Sequence, residues 1–359
     1  MASVWNNRIS VSVFGEAQGP AIGVTVDNLP PGEYLDLTKL HHFMERRTGL
    51  EETGGSFCQV MSGIVGDRTT GTPLCAFIQN TAPQAPDLSR LQRLPRPGHA
   101  DYTGAMRYRG FDDTRDGGHL SDRLTVPLCF AGAVAGQILE RRSIYTGAHI
   151  AEIHGIRDDE FDYVRVTRED LLAVRYKQFP VIRNAQGRKM QADIAAAAEG
   201  GETLGGVIEC VSVGVPAGIG SPIFDGLENT IAQLIFSIPG VKGLEFGAGF
   251  DVARMVGSQN NDSFYVDEHG YVKTMSNNHG GILGGISSGM PIALKVAVKP
   301  NSSIGAVQDT VNLSTLEGGK LAAEGSRQAC TIPGLVPCVE ACVNLALLTH
   351  MLDYPHFTG

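Results

Sequence analysis

The sequence has little that would suit a polyanionic macromolecule, because its basic residues are outnumbered. The 359 residues include 29 Lys and Arg against 38 Asp and Glu, which gives a formal net charge of -9. Nucleic-acid binding depends on clustered Lys and Arg, so this balance argues against a nucleic-acid partner. An anionic small molecule would have to meet a local cluster of cations.

The cysteines also lack the spacing that is typical of metal and redox sites. The seven cysteines, at positions 58, 75, 129, 210, 330, 338 and 342, are odd in number, and none forms the CxxC pair of zinc and redox sites. Cys338 and Cys342 stand four positions apart in an apolar segment, and we interpret them as small buried hydrophobes. The sequence therefore predicts no metal site and favours a reducing compartment.

A long uninterrupted apolar run is also not evident in the sequence. The N-terminal segment carries Arg8 early, and the sequence suggests no stretch that approaches the roughly 20 apolar residues of a membrane span. We therefore expect a cytoplasmic protein with no membrane partner.

Glycine, in contrast, is abundant, and its 45 residues fall in short clusters between patterned segments. Alternating apolar residues predict strands over 8–14, 21–26, 74–78, 207–213 and 292–298. Helical periodicity predicts helices over 37–47, 126–142, 225–238 and 336–352. This mixed order favours an α+β fold, in which helices cover a sheet, over a helical bundle.

The segment that begins at Gly15 resembles the segment that begins at Gly201. Matched residues differ by a constant 186 positions: Gly15 and Gly201, Glu16 and Glu202, Gly19 and Gly205, Ile22 and Ile208, Pro30 and Pro216, Gly32 and Gly218. Each copy predicts a glycine turn, a half-buried strand, a Pro-x-Gly turn and a covering helix. We interpret the chain as one domain, 1–359, with pseudo-twofold halves of about 1–175 and 176–359; chance matches at Gly and Pro are the alternative.

Several longer motifs are typical of one known family and occur in its order along nearly the whole chain. They are RPGHADYTGAMRYRG from Arg96, DTRDGGHLSDRLTVPLCFAGAVA from Asp113, VKGLEFGAGF, GSQNND, NNHGGILGGISSGMPI and KPNSS. The chain thereby resembles the chorismate synthases, in which the second motif reads DxRGGGxxSxRxT.

That resemblance implies a β-α-β sandwich with internal pseudo-twofold symmetry, assembled as a homotetramer, which binds reduced FMN beside a shikimate-type acid. The implied reaction is the anti-1,4-elimination of phosphate from 5-enolpyruvylshikimate-3-phosphate, giving chorismate with no net redox change. No GxGxxG segment marks an NADPH domain, so we expect reduced flavin to come from outside the protein.

The resemblance also implies roles for individual residues. Histidine has a near-neutral reference pKa suited to proton donation, and arginine binds carboxylate or phosphate bidentately. Taken alone, such residues would be read as a turn histidine, surface ion pairs and, at 280–289, an ordinary glycine-rich turn. The implied site comprises catalytic His99, substrate-binding Arg46, Arg96 and Arg123, and cofactor-binding Ser121, Gly284, Lys299 and Ser303.

The motifs depart from the family pattern where the family's substrate meets the flavin. GEAQG has Gln18 where the family's GESHG has a second catalytic histidine, and glutamine cannot act as an acid. GSRQAC replaces GRHDPC, which puts Ser326, Arg327 and Gln328 in place of Arg-His-Asp and removes the carboxylate of a proton relay. Gly334 replaces a further arginine.

These departures leave three interpretations open. The chain can be a distant enzyme that still makes chorismate, since loss of a general acid typically costs about 10²- to 10⁴-fold in rate. It can be a diverged paralogue that acts on a less anionic cyclohexene acid. It can also be a non-catalytic binding or scaffold subunit.

Overall fold

The structure, a computed structural model, describes residues 3–52, 58–80, 94–322 and 328–354, with backbone only at 49–52. These residues form eighteen strands and eight α-helices. The strands are β1 (Val4–Asn6), β2 (Ser10–Gly15), β3 (Ala21–Asp27), β4 (Gln59–Ser62), β5 (Ile64–Val65), β6 (Arg68–Thr69), β7 (Leu74–Gln79), β8 (Tyr145–Ile153), β9 (Ile156–Arg157), β10 (Gly206–Val213), β11 (Val241–Phe246), β12 (Phe264–Val266), β13 (Val272–Thr274), β14 (Ile282–Leu283), β15 (Ile286–Ser287), β16 (Ile292–Val298), β17 (Gln308–Val311) and β18 (Gly318–Leu321).

The helices are α1 (Leu37–Glu52), α2 (Asp101–Tyr108), α3 (Thr125–Glu140), α4 (Arg168–Arg175), α5 (Asn184–Glu199), α6 (Leu227–Ile235), α7 (Gly257–Asn260) and α8 (Ile332–Met351). Every strand and helix predicted from periodicity is present, with its ends displaced by a few residues.

Two antiparallel five-stranded sheets enclose a layer of helices. Their strand orders are β1-β2-β3-β7-β4 and β11-β16-β10-β8-β9. Helices α3 and α8 pack on each other, α3 contacts β3, and α8 contacts β8 and β10. This arrangement confirms the predicted α+β fold with a β-α-β sandwich.

The centre of the core is formed by α3 and α8, which are apolar on nearly every side, as expected of helices that are surrounded by protein. The two helices approach closely at Gly132, where an added Cβ would lie 2.2 Å from the Cβ of Ala341. Real Cβ atoms do not come so close, so this crossing requires glycine.

Helix α8 also corrects one expectation from the sequence. Within the described residues it is the one helix that is long and apolar enough to cross a membrane, so the prediction that no stretch approaches such a span was wrong. The apolar window of α8 is 89% buried inside the protein, which is the environment of a core helix.

The two sheets share a connection order. The path β2, β3, α1, β4, β7, α3 in the first sheet has the same neighbour relations as β8, β10, α6, β11, β16, α8 in the second. Strand β8 lies before residue 175 in the chain, yet it pairs with β10 of the second sheet. The division into halves near residue 175 stays a prediction.

Candidate active site

One cavity of about 860 Å³ gathers three of the six motif segments. Its lining comes from the RPGHAD segment, the residues between Asp112 and Arg123, the strands β3 and β7, the KPNSS segment after β16, and the start of α8. This volume lies within the usual range of small-molecule and cofactor sites, about 300–1,000 Å³. The segments are distant in sequence, so the fold brings them together.

The RPGHAD segment forms a tight turn that leads into α2. The backbone N–H of His99 donates to the carbonyl of Arg96 at 3.2 Å, and Gly98 has a φ of +73°, which favours glycine. Nε and Nη2 of Arg96 each donate to the carboxylate of Asp101 at 2.8 Å. This bidentate pair fixes the plane of the guanidinium and uses two of its five N–H donors.

The imidazole of His99 faces the KPNSS segment. Its Nε2 lies 2.9 Å from Oγ of Ser303. Burial, followed by the positive charges of Arg96 and Lys299, lowers the pKa of His99 to about 4, although Asp101 acts in the opposite direction. At neutral pH the imidazole is therefore uncharged and offers one donor and one acceptor.

The KPNSS segment is held against the RPGHAD turn. Nζ of Lys299 donates to the carbonyl of Gly98 at 3.0 Å and to Oγ of Ser302, which donates to the same carbonyl at 2.9 Å. A Cβ at Gly98 would lie 2.6 Å from Oγ of Ser302. Nδ2 of Asn301 donates to the carbonyl of Gln328 at 3.4 Å, which joins the segment before α8 to the same wall.

The turn Arg115–Leu120 has three consecutive residues with left-handed backbone: Asp116 at φ 51°, Gly117 at 80° and Gly118 at 53°. A Cβ at Gly118 would lie 1.8 Å from the carbonyl oxygen of Asp113, so only glycine fits there. Aspartate is among the few other residues that adopt this conformation. The turn places the side chain of Asp116 in the cavity wall.

The GEAQG turn is tied to the same wall. Nη1 of Arg123 donates to the carbonyl of Ala17 at 2.9 Å, and the N–H of Ala17 donates to the carbonyl of Gly118 at 3.0 Å. The side chain of Gln18 lies near enough to the carboxyl group of Asp116 to act on its pKa, in the downward direction. Gln18 thus lies directly behind a residue of the described lining without belonging to that lining.

The structure brings together most of the residues that the sequence singled out. The cavity is lined by Arg96, His99, Ser121, Arg123, Lys299, Ser303 and Gln328. Arg46 and Gly284 do not belong to the described lining. The roles implied for all of these residues stay predictions.

Arg46 points into the core instead. Its Nη1 and Nη2 donate to the carboxylate of Glu340 on α8 at 2.7 and 2.8 Å, and Glu340 is fully buried. Successive residues of a helix differ in direction by about 100°, so the next residue, Arg47, lines the cavity. Nε of Arg47 donates to Oγ1 of Thr125 at 2.8 Å.

Gly284 lies in the turn between β14 and β15. It has a φ of +63°, it is exposed, and a Cβ built there would have no atom within 4 Å. The hairpin turn therefore explains why a glycine stands at position 284. A flavin contact at this position stays a prediction.

Arg47 and Asp116 are among the charged lining residues that the sequence analysis missed. Arg47 could have been found from the helical rotation between it and Arg46. Asp116 could have been found from the motif itself, because it stands at the first glycine of the family pattern DxRGGGxxSxRxT.

Comparison of the sequence with known proteins identifies the family of the chain. A family model described as chorismate synthase matches residues 9–352. The chain belongs to the chorismate synthase family. The chorismate synthase of Lancefieldella parvula is 39% identical over 99% of this chain and 97% of its own length, and that of Thermococcus kodakarensis is 37% identical over 96% of both.

A solved structure titled as a crystal structure of chorismate synthase is similar in fold. It has a TM-score of 0.76 and 26% sequence identity, and the match covers 97% of this chain and 93% of that one. Family membership and fold therefore rest on nearly the whole chain.

The departures from the family motifs can now be placed. Gly334 lies beside Arg47, since a Cβ there would be 3.3 Å from the carbonyl oxygen and 3.5 Å from Nη1 of that arginine. Loss of the family arginine at 334 thus leaves Arg47 as the neighbouring cation. Ser326 and Arg327 lie outside the described residues.

Proposed function

We propose that this chain catalyses the anti-1,4-elimination of phosphate from 5-enolpyruvylshikimate-3-phosphate, giving chorismate. Membership of the chorismate synthase family makes the chain a lyase of this class. The observation that carries the proposal is the convergence of the RPGHAD, DTRDGG and KPNSS segments on one cavity. The two alternative interpretations, a different cyclohexene acid and a non-catalytic subunit, gain no support from this geometry.

The cations of the cavity suit an anionic substrate. Arg47, Arg96, Arg123 and Lys299 all line it, despite the net negative charge of the whole chain. Guanidinium groups bind carboxylates and phosphates through paired hydrogen bonds. The lower dielectric constant of a partly enclosed site strengthens such contacts. Arg96 and Arg47 pair with Asp101 and Asp122 of the same lining. Arg123 and Lys299 form no salt bridge among the described residues, so these two supply the positive charge that an anionic small molecule would meet.

The residues present fit a reduced FMN. Ser121, Lys299 and Ser303 would hold it, since all three line the cavity and offer hydroxyl and ammonium donors. When bound, reduced flavin lends electron density to the substrate ring and recovers it, which leaves no net redox change. Side chains of the protein carry out the remaining steps.

His99 is the residue best placed to hold a proton near the reacting groups. Its neutral imidazole accepts a proton at one nitrogen while the other donates, and Ser303 fixes the ring orientation. A bound polyanion would raise the pKa of His99 from about 4, because nearby negative charge favours the imidazolium. Substrate binding would thus bring His99 toward the pH range in which proton transfer is efficient.

We also infer a cytoplasmic homotetramer that binds a shikimate-type acid and neither nucleic acid nor membrane. Assembly is supported by large apolar side chains that remain exposed on the single chain, among them Phe224 at 92%, Phe250 at 78% and Phe264 at 66%. Exposed apolar surface of this kind commonly marks subunit contacts. Light scattering of the purified protein is expected to give four times the chain mass of 38.2 kDa.

The proposed reaction is tested with the purified chain, anaerobically reduced FMN and 5-enolpyruvylshikimate-3-phosphate. We expect phosphate and chorismate to appear in equal amounts, with a raised KM in Arg123→Gln. Asp309→Asn, a change on a side chain that is 89% exposed on β17, is the matched control and is expected to behave as the parent. Phosphate release no greater than in a protein-free blank would reject the proposal.

A second measurement separates the alternatives. Titration of oxidised FMN, followed by its fluorescence, reports binding without catalysis. Binding without elimination of the family substrate would favour a paralogue, in which case other shikimate-type acids would be assayed. Failure to bind either flavin or acid would favour a scaffold role.

A further inference from the structure

The GEAQG turn lacks the proton donor that the family has at position 18. Elimination of phosphate is assisted by a proton donor to the departing oxygen. Gln18 stands where the family has a catalytic histidine, and an amide has no proton to give at ordinary pH. Another group near position 18 is needed.

Asp116 is an acidic residue that interacts with Gln18. Unlike Gln18, it belongs to the described lining of the cavity. The family motif has glycine at this point, which suits the left-handed backbone (φ 51°) better than an aspartate does. Non-glycine residues in this conformation cluster at functional sites.

Loss of hydration, and not the neighbouring charges, favours the protonated form of Asp116. The largest influence is the loss of hydration between the cavity walls, which raises its pKa although the side chain still faces the solvent of the cavity. Asp122 acts in the same direction, while Arg123, Gln18 and Arg96 act against it, and the pKa remains raised.

The lining also contains carboxylates besides Asp116. Five aspartates face the cavity with four cationic side chains: Asp101, Asp112, Asp113, Asp116 and Asp122 against Arg47, Arg96, Arg123 and Lys299. Three of these aspartates pair with arginines: Asp101 with Arg96, Asp113 with Arg115 and Asp122 with Arg47. A multiply charged anion that enters adds negative charge beside Asp116, which further favours the neutral carboxyl group.

We propose that Asp116 replaces the histidine missing at position 18 and donates the proton to the departing phosphate. In this step the ring C–O bond breaks and its electron pair stays on the phosphate oxygen, which takes the proton of Asp116. The electron pair of the ring C–H bond that is lost completes the diene, its proton passes to solvent, and water returns a proton to Asp116. This inference rests on the proposed elimination.

Asp116→Asn tests the step, because asparagine keeps the shape and the tolerance of left-handed backbone but has no acidic proton. We expect kcat for phosphate release to fall by about 10²- to 10⁴-fold. The parent is expected to lose activity as the pH rises through the pKa of Asp116, and the variant to lack that alkaline limb. Asp309→Asn controls for loss of a surface carboxylate.

Rescue separates a chemical role from a structural one. Adding Gln18→His to Asp116→Asn restores an acid at the family position, and we expect it to return much of the lost rate. An Asp116→Asn enzyme with unchanged kcat and an unchanged alkaline limb would overturn the proposal while leaving the elimination reaction intact. Absence of elimination in the parent itself would instead overturn the proposed function.

A readout independent of catalysis uses the protein without flavin. Difference infrared spectra between parent and Asp116→Asn are expected to show a protonated-carboxyl band at mildly acidic pH, which persists to higher pH when inorganic phosphate is added. A carboxyl group that titrates at the ordinary aspartate pKa, with no response to phosphate, would contradict the proposal.

Discussion

Replacing Arg46 by alanine is expected to destabilise the fold while leaving substrate affinity almost unchanged. The guanidinium makes two charged hydrogen bonds, 2.7 and 2.8 Å long, to the fully buried carboxylate of Glu340. Removal of one partner of a buried ion pair costs about 3–5 kcal/mol, because a charge is left uncompensated. Glu340 retains the N–H of Ala148 at 3.0 Å and Nε of Arg175 at 4.0 Å, so we expect the lower end, about 3 kcal/mol.

Urea unfolding at fixed protein concentration measures this loss, and steady-state kinetics on the same sample gives KM. The double variant Arg46→Ala with Glu340→Gln removes the stranded charge and should recover part of the stability. Arg68→Ala, at an exposed arginine, is the matched control and should change stability by less than about 0.5 kcal/mol. A stable Arg46→Ala enzyme with a greatly raised KM would refute this reasoning and restore Arg46 to the substrate site.

Three further outcomes are expected. Gln328→Asp returns the family carboxylate to the cavity wall and should raise kcat for phosphate release; an unchanged kcat would show that this relay is dispensable here. The fold lowers the pKa of His99 from 6.5 to about 4, so the folded state favours the neutral ring. The contribution of His99 to the free energy of unfolding is therefore present above pH 6.5 and is lost as the pH falls toward 4. The free energy of unfolding of His99→Asn, measured against pH, should therefore vary less over that interval than the parent's. Gly132→Ala forces a Cβ to within 2.2 Å of the Cβ of Ala341 and should lower the free energy of unfolding by about 1–3 kcal/mol, measured by denaturant titration; full stability would mean that the two helices can separate freely.

The fold was largely predictable because its main elements repeat apolar residues at the periods of strands and helices. Strand β8 escaped because it is buried along almost its whole length and contains Gly147 and the buried polar His149, so no alternation marks it. Helix α8 was predicted as a helix, but its burial on all sides depends on the second sheet, which periodicity alone does not reveal.

The site was predictable where a motif carries its residues on a local turn, as with Arg96 and His99. Prediction failed where direction depends on packing: Arg46 and Arg47 are adjacent in sequence, and only the position of α8 decides which one meets Glu340 and which one meets the cavity. Asp116 was overlooked because its motif was otherwise intact.

The position of the substituted residues outside the α-helices has an evolutionary consequence. Stability resides in α3 and α8, whereas Gln18, Asp116 and Gln328 lie on turns and chain segments. Substitutions on these segments leave the contact between the two helices unchanged, so selection can replace one proton-carrying side chain by another without first passing through an unfolded ancestor.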